Sequence, residues 1–275
     1  MERLIPQSIY ARNVLTLMTG TTLAQVIPLA ISPILTRLYS PDEFGRFALY
    51  MSVITIASVL VTGRYELAIL LPYQDRNALH LTALSMALSI IMSVVLLLIV
   101  LFYAIPIATM LGDAELAPSM YWVPLATLLL GLYQSLNYWS NRQAHYKRMA
   151  IGRTLQSSSA TLAQLGAGYA GSGVLGLVSG QITGQVVAAS LLARLIWREE
   201  QGLIRTLRPL RSLALAKKYV DFPKYLIIAH GFNATSGQMP VLLLGALFNA
   251  STVGLFSLTQ RVMSAPMSLV AAAIG

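Results

Sequence analysis

The fifteen residues from Leu35 to Leu49, LTRLYSPDEFGRFAL, close one long apolar segment, turn at Ser40-Pro41-Asp42 and begin the next apolar segment. At a constant offset of 209 residues the chain reads LGALFNASTVGLFSL, from Leu244 to Leu258, with the same apolar–turn–apolar layout. Five positions are identical between the two stretches, and Tyr39 corresponds to Phe248. We interpret the pair as an internal repeat. It predicts a chain built from two similar halves, of which the second has only begun.

The composition is that of a membrane protein. Hydrophobic residues make up 56% of the chain and charged residues 11%, whereas about a quarter of a soluble globular chain is charged. The apolar residues fall in continuous runs of about 18 residues or more, long enough to cross a hydrocarbon core of about 30 Å. Continuous runs favour helices over the short alternating segments of membrane strands. The sequence therefore predicts an all-α, polytopic membrane protein.

We predict eight transmembrane helices. They are Val14–Leu35, Phe47–Thr62, Leu79–Tyr103, Met120–Tyr138, Thr154–Tyr169, Gly173–Ile196, Tyr225–Phe248 and Thr252–Ile274. The first two precede the last two by six helices, so both copies of the repeat have the same orientation, as in transporters built from parallel repeats. This predicts a six-helix N-terminal lobe at 1–198, a basic cytoplasmic linker at 199–224, and the first helix pair of an incomplete C-terminal lobe at 225–275. We expect a truncated chain or gene fragment of a protein with about twelve spans.

The basic residues predict the orientation. With the N-terminus in the cytoplasm, sixteen of the nineteen lysines and arginines, beginning with Arg3 and Arg12, fall on the cytoplasmic side. Arg37 and Arg46 fall on the opposite side, and Arg261 lies within a span. Cytoplasmic loops of membrane proteins carry an excess of Lys and Arg. This rule explains the net charge of +9 without a nucleic-acid partner.

The longest cytoplasmic loop, Glu199 to Lys224, alternates leucines with arginines at roughly helical spacing. Such a pattern is typical of a helix lying on the membrane surface. A solvated linker that follows the charge rule has the same composition. Both interpretations stay open from the sequence.

Arg261 is the clearest candidate functional residue, because it lies roughly ten residues into the last span, where a charge is costly. No acidic residue lies deep in any predicted span, so Arg261 is expected to face a water-filled cavity or a bound anion. Arg64 lies near the inner end of the second span. Its local partner is Glu66, or it is a plain interfacial anchor.

Polar residues occur with prolines in two matching spans: Gln25 with Pro28 in the first, and Asn233 and Gln238 with Pro240 in the seventh. Proline frees backbone carbonyls that a lumen or a neighbouring helix must satisfy. We therefore predict a central cavity lined by spans one, two, seven and eight. A cationic cavity with hydrogen-bonding groups suits an anionic, hydroxyl-rich substrate.

No catalytic constellation is present in the sequence. It contains no cysteine and no GxxxxGK[ST] segment, and its three histidines, His80, His145 and His230, lack metal-site spacing. No paired carboxylates or nucleophile–base pair fall in one membrane region. The sequence predicts that the protein is not an enzyme and that it uses no cofactor or metal.

Four stretches together carry a resemblance to a known family. They are ILTRLYSPDEFGRFALY (34–50), RYELAILLP (64–72), AHYKRMAIGRTLQSS (144–158) and VGLFSLTQRVMSAP (253–266). They resemble the Wzx-type flippases for O-antigen and capsule repeat units, in the multidrug/oligosaccharidyl-lipid/polysaccharide superfamily. The resemblance implies a bacterial inner-membrane protein of twelve or fourteen helices in two six-helix lobes. It also implies transport of undecaprenyl-pyrophosphate-linked sugars by alternating access, in polysaccharide or lipopolysaccharide biosynthesis.

The resemblance also implies site residues and partners. In the related lipid II flippase, cavity arginines on helices one, two and eight contact the pyrophosphate. Arg64 and Arg261 are the positions here that match best, and Arg261, followed by Pro266, matches more closely. The arginines of helix one have no counterpart in this sequence. The implied partners are a lipid-linked oligosaccharide, membrane lipid and other polysaccharide-assembly proteins.

Two alternative functions remain from the sequence. A non-transporting scaffold or inactive fragment of such a flippase would explain the missing helices. A cation-coupled multidrug exporter of the same superfamily would need a carboxylate inside the spans, and the sequence places none there.

Overall fold

The computed structural model describes the backbone of residues 7–274 and the side chains of residues 19–263, and the described backbone is helical without a strand. Arg3, Arg12 and Pro266 lie outside the described side chains. The helices are α1 (Gln7–Leu38), α2 (Pro41–Val61), α3 (Tyr65–Ala68), α4 (Asp75–Met110), α5 (Ala117–Met120), α6 (Val123–Arg142), α7 (Tyr146–Tyr169), α8 (Gly173–Glu199), α9 (Gln201–Ile204), α10 (Pro209–Lys218), α11 (Ile227–Leu247) and α12 (Ala250–Ile274). A 3₁₀ turn, Ala114–Leu116, precedes α5, and a π-helical turn, Phe222–Leu226, precedes α11. The all-α class is confirmed.

Four helices of the described chain are long and apolar enough to cross a membrane: Thr19–Leu38 of α1, and the whole of α2, α4 and α8. A fifth span results if Ala114–Met120 and Val123–Arg142, which are bent by 46° relative to each other, count as one. A polytopic membrane protein agrees with this set. Eight helices coincide with the eight predicted spans in position, but the number that cross the membrane stays a prediction.

The turn between α1 and α2 is fixed by local chemistry. The Ser40 backbone N–H donates to Glu43 Oε2 at 2.6 Å, and the Glu43 N–H donates to Ser40 Oγ at 3.3 Å. This reciprocal pair satisfies two N–H groups that the start of a helix leaves without partners. Pro41 occupies the first helical position, where a missing N–H has no cost. The chain therefore ends α1 and begins α2 within two residues.

The turn between α11 and α12 has a helix cap at the repeated position, without the reciprocal hydrogen bond of the first turn. Asn249, 209 residues after Ser40, accepts a hydrogen bond at its Oδ1 from the backbone N–H of Thr252 at 2.9 Å. Thr252 in turn corresponds to Glu43. The internal repeat read from the sequence thus has the same helix–cap–helix geometry in both copies.

The two copies meet at their shared glycine. A Cβ atom on Gly45 would lie 1.7 Å from the carbonyl oxygen of Ala250 and 3.0 Å from the nitrogen of Gly254. A Cβ atom on Gly254 would lie 1.8 Å from the carbonyl oxygen of Pro41 and 3.0 Å from the nitrogen of Gly45. Exchanging the two copies leaves this contact unchanged, as expected for hairpins related by an approximate twofold axis. The backbones of α2 and α12 therefore touch directly, near the start of each helix.

Helix α7 packs between α1 and α8. The Ser157 hydroxyl donates to the carbonyl oxygen of Ala24 in α1, and Gln164 Nε2 donates to the carbonyl oxygen of Leu177 in α8 at 3.2 Å. Because Pro28 has no N–H, it leaves the Ala24 carbonyl without its helical partner, and Ser157 supplies the replacement. The polar residues of α7 thus satisfy the backbone of its neighbours.

The basic linker docks on the helical bundle at the end of the molecule opposite the two hairpin turns. Leu207 packs against the core that contains Leu215, and the backbone N–H of Arg208 donates to His80 Nε2 of α4 at 3.2 Å. Leu210 and Leu213 of α10 face outward, with 82% and 58% of their surfaces exposed. The linker is therefore part docked segment and part exposed amphipathic helix, and it is not freely solvated along its whole length.

Candidate functional site

Arg261 lies on α12 and reaches α1. Its Nη2 atom donates a hydrogen bond to the carbonyl oxygen of Pro28 at 3.1 Å, and the side chain is half-buried. The contact joins the second helix of one hairpin to the first helix of the other. The depth of Arg261 in the membrane stays a prediction.

Arg261 lines a cavity of about 500 Å³ between five helices. The lining residues are Thr21, Ala24, Gln25 and Pro28 of α1, Phe47 and Met51 of α2, Arg153, Gln156, Ser157, Ala160, Thr161 and Gln164 of α7, Gln181 of α8, and Arg261 of α12. Helix α11 contributes no residue to this set. This cavity shares spans one, two and eight with the predicted one and adds spans five and six, and none of its described lining residues comes from span seven.

A second arginine, Arg153, lines the same cavity from α7. Its Nη1 atom donates to the hydroxyl of Thr21 on α1 at 2.9 Å. The charge rule assigned Arg153 to the cytoplasmic side, so Arg153 was not among the predicted site residues. The signal was present in the spacing: Arg153, Ser157, Ala160 and Gln164 recur at intervals of three or four residues and Gln156 adjoins Ser157, which places them on one face of a helix.

Among the residues whose side chains are described, the lining combines two cations with hydrogen-bonding groups and includes no Asp or Glu. Four glutamines, Gln25, Gln156, Gln164 and Gln181, contribute amides, which donate and accept hydrogen bonds. Arginine presents a planar set of N–H donors that matches the oxygens of a carboxylate or a phosphate. The arrangement suits an anionic ligand that also carries hydroxyl groups.

The other predicted site residues lie apart from the cavity lining. Asn233 is exposed on α11, and Gln238 accepts a hydrogen bond at Oε1 from the Ser52 hydroxyl at 2.8 Å. Of the five predicted residues, the structure brings together Arg261 and Gln25. A binding role for Asn233 and Gln238 stays a prediction, and the structure gives Gln238 a contact between the two hairpins.

Arg64 occupies the sharp turn between α2 and α3. It has a positive φ of 60°, and its Nη1 atom lies 3.3 Å from Oε1 of Glu66, whose side chain is 1% exposed. The local partner named from the sequence is therefore present in the structure. A buried carboxylate needs a cation nearby to remain charged, so the pair gives Arg64 a structural role at this turn.

The described residues contain no group of three or more His, Cys, Asp or Glu that could hold a metal ion. The described lining of the cavity offers a ligand the N–H groups of arginines and the amides of glutamines.

Comparison with known proteins places these features in context. A family model described as polysaccharide biosynthesis protein matches residues 34–275. The chain is also 23% identical over 247 residues to the succinoglycan biosynthesis transport protein ExoT of Rhizobium meliloti (strain 1021), an alignment that covers 88% of the chain and 47% of the relative. The chain thus spans about half the length of this curated relative. No solved structure matches it.

Proposed function

Because the chain belongs to the family of polysaccharide biosynthesis proteins, we propose that it takes part in moving a polyprenyl-pyrophosphate-linked oligosaccharide across the membrane. The relative with the matching sequence is named as a transport protein for succinoglycan biosynthesis, which supports transport as the activity. We propose a lipid-linked saccharide as the substrate, and not free polysaccharide, because its pyrophosphate is negatively charged and the cavity carries the positively charged Arg153 and Arg261.

The observation that carries the proposal is the presence of Arg153 and Arg261 in one cavity whose described lining residues include no carboxylate. A pyrophosphate presents several anionic oxygens, and hydrogen bonds between guanidinium groups and such oxygens are about twice as strong as neutral ones. The glutamines of the same cavity offer donors and acceptors to sugar hydroxyls. A neutral or cationic drug would find no complementary charge on these residues.

The location of the cavity fits a transporter of two repeats. It lies between α1 of the first hairpin and α12 of the second, and parallel-repeat transporters bind substrate at the interface of their halves. We propose the division into a lobe at 1–198, a linker at 199–224 and the start of a second lobe at 225–275. Movement of the second hairpin relative to the first lobe would open the cavity alternately to the two sides.

We propose that the linker end faces the cytoplasm of a bacterial cell. The linker carries Arg205, Arg208, Arg211, Lys217 and Lys218, whereas the hairpin end carries Arg37 and Arg46. An excess of basic residues favours the cytoplasmic side of the inner membrane. The N-terminus would then lie on the same side as the linker.

Export of surface polysaccharide in cells that depend on this gene tests the proposal. We expect Arg261→Ala to reduce export by about tenfold or more, since a hydrogen bond to a charged group contributes roughly 1.5–3 kcal/mol. Arg261→Lys should retain part of the activity, because the charge remains while the planar donor set is lost. Arg37→Ala removes an exposed arginine at the hairpin end and serves as the matched control.

Direct binding separates transport from the alternatives. Purified protein should bind undecaprenyl pyrophosphate more tightly than uncharged undecaprenol, and Arg261→Ala should remove the difference. A normal level of export in Arg261→Ala cells, together with equal binding of the two lipids, would favour a non-transporting scaffold. Binding of organic cations in place of the pyrophosphate would favour a multidrug exporter.

A further inference from the structure

An apolar crevice lies outside the arginine cavity, between α4, α6, α8 and the basic linker. One compartment of about 370 Å³ is lined by apolar residues, including Ala83 and Ala87 of α4 and Trp139 of α6. A neighbouring compartment of about 380 Å³ shares Ala83, Ala87 and Leu207 with the first. Neither compartment shares a lining residue with the cavity of Arg261. The crevice is therefore a separate site with two apolar halves.

The rim of this crevice is positively charged. Arg208 and Ser212 line the second compartment, and the lining residues that the structure describes in the two compartments include no Asp or Glu. The Arg208 backbone is fixed by its hydrogen bond to His80 Nε2. Its guanidinium group is exposed and makes no hydrogen bond or ion pair with the part of the chain that the structure describes. Arg208 thus has a fixed backbone and an unpaired guanidinium group at the opening of an apolar crevice. This arrangement is suited to binding an amphipathic anion.

A further feature points to a lipid. Leu210 and Leu213, next to Arg208 on the linker, are exposed, which suits a segment lying at the membrane surface.

We propose that the crevice binds an anionic glycerophospholipid from the leaflet at the linker end, with its phosphate at Arg208 and its acyl chains in the two compartments. Two adjoining apolar compartments suit a lipid with two chains better than a polyprenyl lipid with one. The bound lipid would join α4 to the linker. It would thereby fix the segment through which the second hairpin is attached to the first six long helices.

Native mass spectrometry of the purified full chain in detergent tests this inference. The probes are phosphatidylglycerol, phosphatidylcholine with the same acyl chains, and undecaprenyl phosphate. We expect phosphatidylglycerol to be retained in preference to phosphatidylcholine. Arg208→Ala should reduce this preference by about fivefold, because one basic residue near an anionic lipid surface contributes roughly that factor. Arg37→Ala, with the same change of charge at the other end of the molecule, should leave the preference unchanged.

A second, independent experiment fills the crevice with a side chain. Ala87 is exposed on α4, so Ala87→Trp should occupy the shared wall of the two compartments and abolish retention of both glycerophospholipids. If Ala87→Trp does not fold, Ala87→Met makes the same test with a smaller side chain. Equal retention of the two glycerophospholipids, or a preference that survives Arg208→Ala, would overturn the proposal. Displacement of phosphatidylglycerol by undecaprenyl phosphate would also overturn it and assign the crevice to a polyprenyl lipid.

Discussion

Ser52 and Arg261 occupy the same position in the two copies of the repeat, and each reaches the first helix of the opposite hairpin. The Ser52 hydroxyl donates to Gln238 Oε1 of α11 at 2.8 Å, and Arg261 Nη2 donates to the carbonyl oxygen of Pro28 of α1 at 3.1 Å. Equivalent backbone positions thus hold a neutral contact on one side and a cation on the other. The hairpins are nearly symmetric in geometry but not in charge, and the charged contact is the one that lines the 500 Å³ cavity.

The neutral contact is expected to contribute to stability and not to transport. Gln238→Ala removes one of the two acceptors of a serine hydroxyl that is 1% exposed and leaves the carbonyl oxygen of Ala48, so it should lower the free energy of unfolding by up to about 1 kcal/mol. Thermal unfolding in detergent measures the loss, and export in cells should stay near the wild-type level. Ser190→Ala is the control, because Ser190 is exposed and bonds only within its own helix. A strong loss of export with unchanged stability would instead give Gln238 the binding role predicted from the sequence.

The glycine contact should tolerate no side chain. Gly45→Ala or Gly254→Ala would place a methyl group within 2 Å of a backbone carbonyl, so each should destabilise the protein by roughly 1–3 kcal/mol or more. Gly237→Ala is the matched control, because no atom lies within 4 Å of its added Cβ. It should stabilise α11 by up to about 1 kcal/mol. Combining Gly45→Ala with Gly254→Ala should give less than the sum of the two losses, since both act on one contact.

The two helix caps should contribute equally. Ser40→Ala and Asn249→Ala each remove a side-chain acceptor at the start of a helix, which lowers the free energy of unfolding by about 1 kcal/mol. Ser40→Asp should retain most of the stability, because Asp is also a good cap. Unequal losses beyond a factor of about three would contradict the equivalence of the two turns.

Arg153 should contribute to pyrophosphate binding together with Arg261. Arg153→Gln keeps the length and polarity of the side chain but removes its charge, so affinity for undecaprenyl pyrophosphate should fall by about tenfold or more. Arg153→Lys should lower this affinity less, because the charge remains. Thr21→Val, which removes the hydroxyl that holds Arg153 in place, should weaken binding moderately without removing any charge. Unchanged affinity in Arg153→Gln would leave Arg153 outside the binding site.

The Arg64–Glu66 pair should behave as a structural element. Arg64→Ala leaves the carboxylate of Glu66, 1% exposed, without its partner, and should lower the free energy of unfolding by roughly 3–5 kcal/mol. Replacing both residues by alanine should recover part of that loss. Export per folded molecule, measured as activity divided by the amount of protein in the membrane, is expected to stay constant. A fall in that ratio would support the pyrophosphate-binding role inferred by resemblance.

Local chemistry explains why the hairpins could be predicted from the sequence. Ser40, Pro41 and Glu43 define a helix start by their order alone, and the repeat at Asn249 follows the same rule. Arg261 could be selected because a charge deep in an apolar span is costly wherever it lies. Each of these predictions depends on neighbours in sequence.

The remaining parts of the site depend on neighbours in space. Arg153 lies in a polar, basic stretch that the charge rule assigns to a loop, and its role emerges only because α7 packs against α1 and brings Arg153 to Thr21. Gln238 and Pro240 resemble Gln25 and Pro28 in sequence, yet only the latter pair lines the cavity. The approximate symmetry of the repeat therefore predicted matching positions but not which copy would contribute to the site.

The contact between Gly45 and Gly254 also limits how the two copies of the repeat can evolve. A side chain acquired at either position would enter the backbone of the other copy. The clash would be with backbone atoms, which every residue has. No change of side chain in the other copy can therefore relieve it. A side chain is therefore excluded at these two sites in both copies, whereas positions 52 and 261, seven residues further along each helix, carry a serine and an arginine.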